Sequence, residues 1–319
     1  MNRRHFLTTL LAIPAAGLLG CSRHEPLLRV SGIVWVGYEP LFLGRTLGYY
    51  DPAAIRLVET PSNTEALMAL ASGEVDAATL TLDEYLLARD GGLDVQAIMV
   101  FDTSNGADVI MARPEIKTLQ QLADKRIGVE ETAAGALMLS KTLEAAKLEP
   151  QQVRKVPVTG DQQVALYRAG EVDALVSYEP FSSQLERQGA HRLYDSSHFP
   201  GLIVDVLVAR RQAVQQQPRA FSQLIAGYMR AIQYLKAHPD DAYLKMAPRM
   251  QITPDQVKQA FAGIHVMDLE DNWRWLSGPM PRLVPAAKTV AGIMLKNNLI
   301  KSCPPLDKLA NPQFLPAKS

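Results

Sequence analysis

Leu70-Ala71-Ser72-Gly73-Glu74-Val75-Asp76-Ala77 is answered 97 residues later by Tyr167-Arg168-Ala169-Gly170-Glu171-Val172-Asp173-Ala174. The run ahead of each glycine has helical periodicity, and glycine supplies the left-handed backbone that stops a helix. Val75 and Val172 then begin the turn into a strand. Two copies of one helix-stop-to-strand unit predict two similar α/β lobes.

Reading outward, short apolar runs alternate with longer amphipathic ones, the pattern of an open α/β sheet. The first half predicts strands over Val30–Val36, Ile55–Glu59, Ala77–Leu80 and Val95–Phe101, with helices over Pro40–Leu47, Asn63–Ser72 and Asp83–Asp90. The second predicts strands over Arg126–Glu130, Arg154–Pro157 and Ala174–Ser177, with helices over Gly135–Ala146 and Asp161–Arg168. Val206–Ala209 reads as a strand returning to the first lobe. Helices follow over Pro218–Ala237, Asp240–Met246, Pro254–Ala262 and Val284–Leu295, then an irregular Pro-rich tail beyond Cys303. The expected division is 28–111 and 206–319 for the first lobe, and 112–205 for the second.

The N-terminus reads as an export address. Arg3 and Arg4 form a basic head, Phe6–Leu19 an apolar run too short to span a bilayer, and Leu18-Leu19-Gly20-Cys21 ends it. The last four residues resemble a bacterial lipobox, so residues 1–20 are expected to be a cleaved signal and Cys21 the lipidated mature N-terminus. Arg3-Arg4-x-Phe6-Leu7 also resembles a twin-arginine signal. The expected location is extracytoplasmic and membrane-anchored, on the periplasmic side in a Gram-negative host.

Removing residues 1–20 takes two arginines, leaving 31 basic and 33 acidic residues, about −2. A near-neutral chain lacks the basic surface that nucleic acid wants. Cys303 is the sole other cysteine, so acylation of Cys21 precludes an intrachain disulfide. Paired-cysteine metal sites are excluded, and the histidines do not cluster at ligand spacing. No metal or cofactor is expected.

Three stretches carry a family resemblance. Trp35-Val36-Gly37-Tyr38-Glu39-Pro40-Leu41-Phe42-Leu43-Gly44-Arg45-Thr46-Leu47-Gly48-Tyr49-Tyr50 resembles the opening of substrate-binding proteins of nitrate/sulfonate/taurine ABC importers. Leu122-Ala123-Asp124-Lys125-Arg126-Ile127-Gly128-Val129 resembles the start of their second lobe, and Val172-Asp173-Ala174-Leu175-Val176-Ser177-Tyr178-Glu179-Pro180 the pocket strand after it. The resemblance implies a type II periplasmic binding fold: two lobes, two crossovers, and closure on a small solute. It also implies permease and ATPase partners, with this chain a monomer.

Ligands of open α/β sheets gather beyond the carboxyl ends of the strands. Trp35, Tyr38 and Glu39 follow the first strand and are expected either to line the cleft or to pack and cap the next helix. Thr81 is an N-cap or a ligand donor, and Asp83 a first-turn carboxylate or a ligand contact. Ser104 and Asp108 lie in a polar segment near the crossover. Thr132 leads into a helix whose N-terminus can hold an anion, although Glu130 and Glu131 beside it oppose one. Tyr178, Glu179 and Asp205 complete the set.

Five of these candidates are acidic, three are aromatic, and no arginine occurs in the loops that carry them. Carboxylates with aromatic faces favour an amine, amidine or protonated heterocycle over nitrate or taurine. Two other classes stay open. One is a same-fold enzyme of the menaquinone-pathway or pyrimidine-synthesis type, for which no nucleophile–base set is visible. The other is a receptor that passes its loaded state to a membrane signalling protein.

Overall fold

The computed structural model describes residues 25–130 and 134–318. The signal segment, Cys21 and Thr132 lie outside the described residues. Two sheets organise the chain. β1 (Leu28–Gly32), β2 (Ile55–Glu59), β3 (Ala77–Thr81) and β4 (Val95–Ser104) enter the first, joined by helices α1 (Glu39–Thr46), α2 (Asn63–Ser72) and α3 (Leu82–Asp90). β5 (Val109–Ala112), β6 (Arg126–Val129), β7 (Arg154–Pro157), β8 (Ala174–Ser177) and β9 (His191–Asp195) form the second, with α4 (Ala134–Ala146), α5 (Gln163–Ala169) and α6 (Phe181–Arg187). β10 (Val204–Arg210) returns to the first sheet, as expected for the strand near 206–209.

The strand orders are β11-β4-β10-β3-β1-β2 and β7-β6-β8-β5-β9, where β11 is Ile264–Val266. Within each sheet the βαβ strands pair in parallel, while the strand next to β3 or β8 runs antiparallel. That strand is β10 in the first sheet and β5 in the second, and each arrives by crossing from the other sheet. The chain therefore changes sheets in residues 105–108 and 196–203. The expected divisions at 111/112 and 205/206 cut through β5 and β10, so both boundaries move toward the N-terminus. A polar Asp-Thr-Ser tail hid the end of β4, which runs three residues past Phe101.

The repeated unit adopts one geometry twice. Gly73 and Gly170 sit at φ +82° and +74°, closing α2 and α5. Asp76 takes the backbone N–H of Arg29 at 2.9 Å and its guanidinium at 3.0 and 3.1 Å. Asp173 takes the same groups of Arg126 at 2.9, 2.7 and 3.0 Å. Each aspartate thus staples the strand after the helix to the neighbouring parallel strand, β3 to β1 in the first sheet and β8 to β6 in the second.

β1 stops at Gly32 rather than Val36, because Tyr38 N–H turns back to the Trp35 carbonyl at 3.0 Å and starts α1. The C-terminal third braces the first sheet with α7 (Arg211–Gln216), α8 (Pro218–Ala237), α9 (Pro239–Met250), α10 (Pro254–Ala262), α11 (Leu269–Leu276) and α12 (Leu283–Lys296). α8 buries Phe221, Leu224, Ile225, Tyr228, Ile232 and Leu235 at helical spacing, each side chain contributing about 1.5–3 kcal/mol of burial. α9 runs four residues past the expected Met246, through Pro248. The tail is irregular but returns along β4, where Ala97 N–H bonds the Leu309 carbonyl at 2.9 Å. Among the described residues no helix is long and apolar enough to cross a membrane.

Candidate functional site

A narrow cavity, with about 30 Å³ of room for the centres of water-sized spheres, lies between the two sheets. The first-sheet side supplies Ile33, Trp35, Tyr38, Asn63 and Thr81. The crossovers supply Asp108 and Ile203, the returning strand β10 Asp205, and the second-sheet side Glu130, Ala134, Gly135, Gln163, Val176 and Tyr178. Every one of these sits at a strand's end or in the helical turn after it, which is where strand twist opens a crevice. The two sides touch: Thr64 donates through N–H and Oγ1 to Glu130 Oε1 at 3.2 and 2.8 Å, and the Trp35 and Tyr178 rings meet edge-on at 5.7 Å. The cleft is closed.

Six expected residues line this cavity: Trp35, Tyr38, Thr81, Asp108, Tyr178 and Asp205. Four others do not. The Glu39 carboxylate is buried against the Arg249 guanidinium of α9, which also holds the Ile33 carbonyl at 3.0 Å and lies 3.4 Å from the Phe42 ring centre. Glu39 thus anchors the turn that carries Trp35 and Tyr38. Glu179 takes Ser183 Oγ at 3.0 Å and Arg192 at 3.2 Å, which neutralises it away from the cavity. Ser104 Oγ bonds Ser196 Oγ at 2.7 Å and accepts Asp108 N–H at 3.2 Å, pinning one crossover to the other. Asp83 is buried in the first turn of α3 beside the cavity wall, with its carboxyl pushed up to about 6 by burial. Thr132 lies outside the described residues.

Sequence reading missed Asn63, Glu130 and Gln163. The two amides look like ordinary first-turn helix residues. Glu130 had a signal: it stands 97 residues after Ile33, as Tyr178 stands 97 after Thr81, and both members of each repeat pair line the cavity.

The chemistry of the wall is one-sided. Asp108 Oδ2, Glu130 Oε2, Asp205 Oδ2, Asn63 Oδ1 and Gln163 Oε1 are buried acceptors without a hydrogen-bond partner. No Arg, Lys or His occurs among the described lining residues. Burial, ahead of neighbouring charge, pushes the Asp108 carboxyl up to about 7 and Glu130 upward. The Tyr38 hydroxyl donates to Asp205, whose carboxyl is raised further by burial and by Asp102 next to it. Such a wall is rich in unpaired acceptors and, among the described lining residues, lacks positive charge. Among the described residues no group of three or more His, Cys, Asp or Glu has metal-binding geometry.

Two lobes, two crossovers and an interlobe cavity make this a periplasmic-binding-protein fold. Over 90% of the chain and 99% of its counterpart it matches the alkanesulfonate-binding protein SsuA of Xanthomonas axonopodis pv. citri, solved with MOPS, at TM-score 0.77 and 19% identity. The desulfurization enzyme DSZB matches at TM-score 0.64 and 19% identity, over 90% of this chain and 97% of that one. At such identities the likeness is one of fold. The chain belongs to the NMT1-like family, whose model matches residues 23–249. An Escherichia coli (strain K12) protein, named provisionally for binding aliphatic sulfonates, is 23% identical over 198 residues. That match takes in 59% of this chain and 62% of the relative, so the chain spans about three-fifths of the curated protein it resembles.

Proposed function

We propose that the protein is the extracytoplasmic solute-binding component of an ABC importer, tethered by lipid at Cys21. It takes a small cationic or zwitterionic nitrogen compound between its lobes and delivers it to a permease driven by an ATPase. Family membership and the fold support the importer class. The ligand class rests on one observation: buried, partnerless carboxylate oxygens of Asp108, Glu130 and Asp205 converge on a cavity with no lining cation among the described residues. A sulfonate or nitrate there would bring only more acceptors to these unpaired oxygens, whereas N–H donors of an amine or amidine would satisfy them. Trp35 and Tyr178 supply flat walls for a cation. A zwitterion's anionic end would find the start of α4 at Ala134 and Gly135.

We assign the moving lobes to the two sheets, with 105–108 and 196–203 as the segments that bend. An enzyme reading has less support, since no Ser, Cys, His or Lys is among the described lining residues. Calorimetry with benzamidine, agmatine and choline against nitrate and taurine tests the ligand class. At least one of the nitrogen cations should bind. Asp108→Asn and Asp205→Asn should each cost that compound about 2–5 kcal/mol, or roughly 30- to several-thousand-fold. Tight binding of nitrate or taurine with the cations silent overturns the reading.

A further inference from the structure

The geometry points to Asp102, which does not line the cavity, as the positioning residue of the site: it shares one proton with Asp205, and a cation arriving at Asp205 drives that proton out to solvent. The exchange rests on the ligand being cationic. The shared proton does not.

Asp102 and Asp205 stand directly opposite each other across the antiparallel β4–β10 pair, so their side chains project from the same face of the sheet. Asp102 is wholly buried and Asp205 nearly so, at 0% and 2% exposure. Between them they receive two donors from the protein, Tyr38 Oη to Asp205 Oδ1 and Trp35 Nε1 to Asp102 Oδ2 at 3.4 Å. Asp102 Oδ1 and Asp205 Oδ2 are left with none. The turn Trp35–Tyr38 seals the pair: a Cβ on Gly37 would lie 1.8 Å from Asp102 Oδ2, so glycine alone lets the backbone close over it.

Among the described residues no cation acts on the pair. The titratable groups that act on it are Tyr38, Tyr228 of α8 and Asp108 of the crossover. Beyond them, Asp83 and Glu84 of α3 and Glu130 add further acid to the neighbourhood. Arg249, beyond Tyr38 on the same turn, is already committed to Glu39 and the Ile33 carbonyl. Two adjacent buried carboxylates cannot both ionise, and they titrate as a pair. Burial raises both, Asp102 to about 8; the Asp102 charge raises Asp205 further, while hydrogen bonds from Trp35 and Asp205 hold Asp102 back. A proton is the one cation that fits this sealed space, and it holds Asp205, which lines the cavity, against Asp102.

A ligand ammonium or amidinium at Asp205 favours the ionised pair, so the shared proton passes to buffer as the cation binds. Cation affinity then rises with pH, by at most about tenfold per unit for one linked proton.

An NMR titration of the carboxyl carbons in the ligand-free mature chain tests the pair. Asp102 and Asp205 should titrate together, with the last proton leaving above pH 7. Asp102→Asn removes the like charge and adds an amide donor, so the Asp205 midpoint should fall by at least one pH unit. Asp205→Asn should do the same to Asp102, which keeps the test decisive if one variant does not fold. Independent titration near pH 4, or a midpoint that does not move in either variant, overturns the shared proton. Benzamidinium calorimetry in two buffers of different ionisation enthalpy tests the exchange. Release of up to one proton at pH 7, lost in Asp102→Asn, supports it, and binding without release overturns it. Benzamidinium silent while taurine binds overturns the cationic reading and the exchange with it, leaving the carboxyl titration to decide the pair alone.

Discussion

The two lobes carry the same Arg–Asp staple over the same 47-residue separation, yet they finish their cleft walls differently. In the first, the repeat strand ends on Thr81, small and committed to the cap of α3 through Glu84. In the second, the mate is Tyr178, a ring that reaches across to Trp35. Ile33 in one lobe is matched by Glu130 in the other. The shared residues maintain the backbone of each βαβ unit, and the unshared ones furnish the cleft. A duplicated scaffold thus presents an asymmetric pocket without any change of topology.

The lobes also differ in how they neutralise a buried glutamate. Glu39 in the first is closed by Arg249, whose side chain is only 12% exposed, and Glu179 in the second by Arg192, 40% exposed. Removing one partner of a buried pair leaves an uncompensated charge, whereas a pair whose cation is open to solvent is partly screened by water. Arg249→Met should therefore cost about 3–5 kcal/mol in chemical denaturation. Arg192→Met should cost about 1 kcal/mol or less, because Ser183 still donates to Glu179. Equal losses would mean that the C-terminal helices do not brace the first lobe as the Glu39 contact indicates.

The acid wall gives the next effect. Asp108 has a folded-state value of about 7 against an ordinary 3.8, so the fold favours its neutral form. The stability this confers is complete below about pH 4 and is lost as pH rises through about 7. Asp108→Asn stays neutral throughout. The stability of the unliganded parent minus that of the variant should fall between pH 4 and 7, by at most ~1.4 kcal/mol per pH unit. A difference that is flat across this window would place Asp108 in contact with solvent or with an unseen donor.

Local signals were legible in the sequence. Helix stops at Gly73 and Gly170 and the alternation of strand and helix depend on neighbours in the chain, and they gave most elements their type. Strand-end logic also brought Trp35, Tyr38, Thr81, Asp108, Tyr178 and Asp205 to one cavity wall. Long-range pairing was not legible. Nothing near Glu39 in sequence announces an arginine 210 residues away, and nothing near Glu179 shows that Arg192 folds back onto it. Asp102 was hidden for a different reason: a polar Asp-Thr-Ser run reads as loop, yet β10 and β11 flank it and make it strand. Burial by tertiary neighbours, which periodicity does not encode, decided these cases.

The smallest effect sharpens the comparison most. Gly73 and Gly170 hold the same left-handed position at φ +82° and +74°. An alanine there pays the cost of a Cβ in left-handed backbone, about 1–2 kcal/mol, reduced by several tenths through a stiffer unfolded chain. The surroundings differ: a Cβ on Gly73 would meet Arg210 Nη1 at 2.0 Å, while the nearest atom to one on Gly170 is Arg113 Nη2 at 4.0 Å. Arg210 is the free end of a flexible side chain, so it can swing aside at small cost. Gly73→Ala and Gly170→Ala should each lower stability by about 1 kcal/mol, the first by a few tenths more. The two sites lie in different lobes and share no partner, so the double variant should be additive within about 0.5 kcal/mol. A loss at one glycine and none at the other would show that the repeated motif marks two different turns.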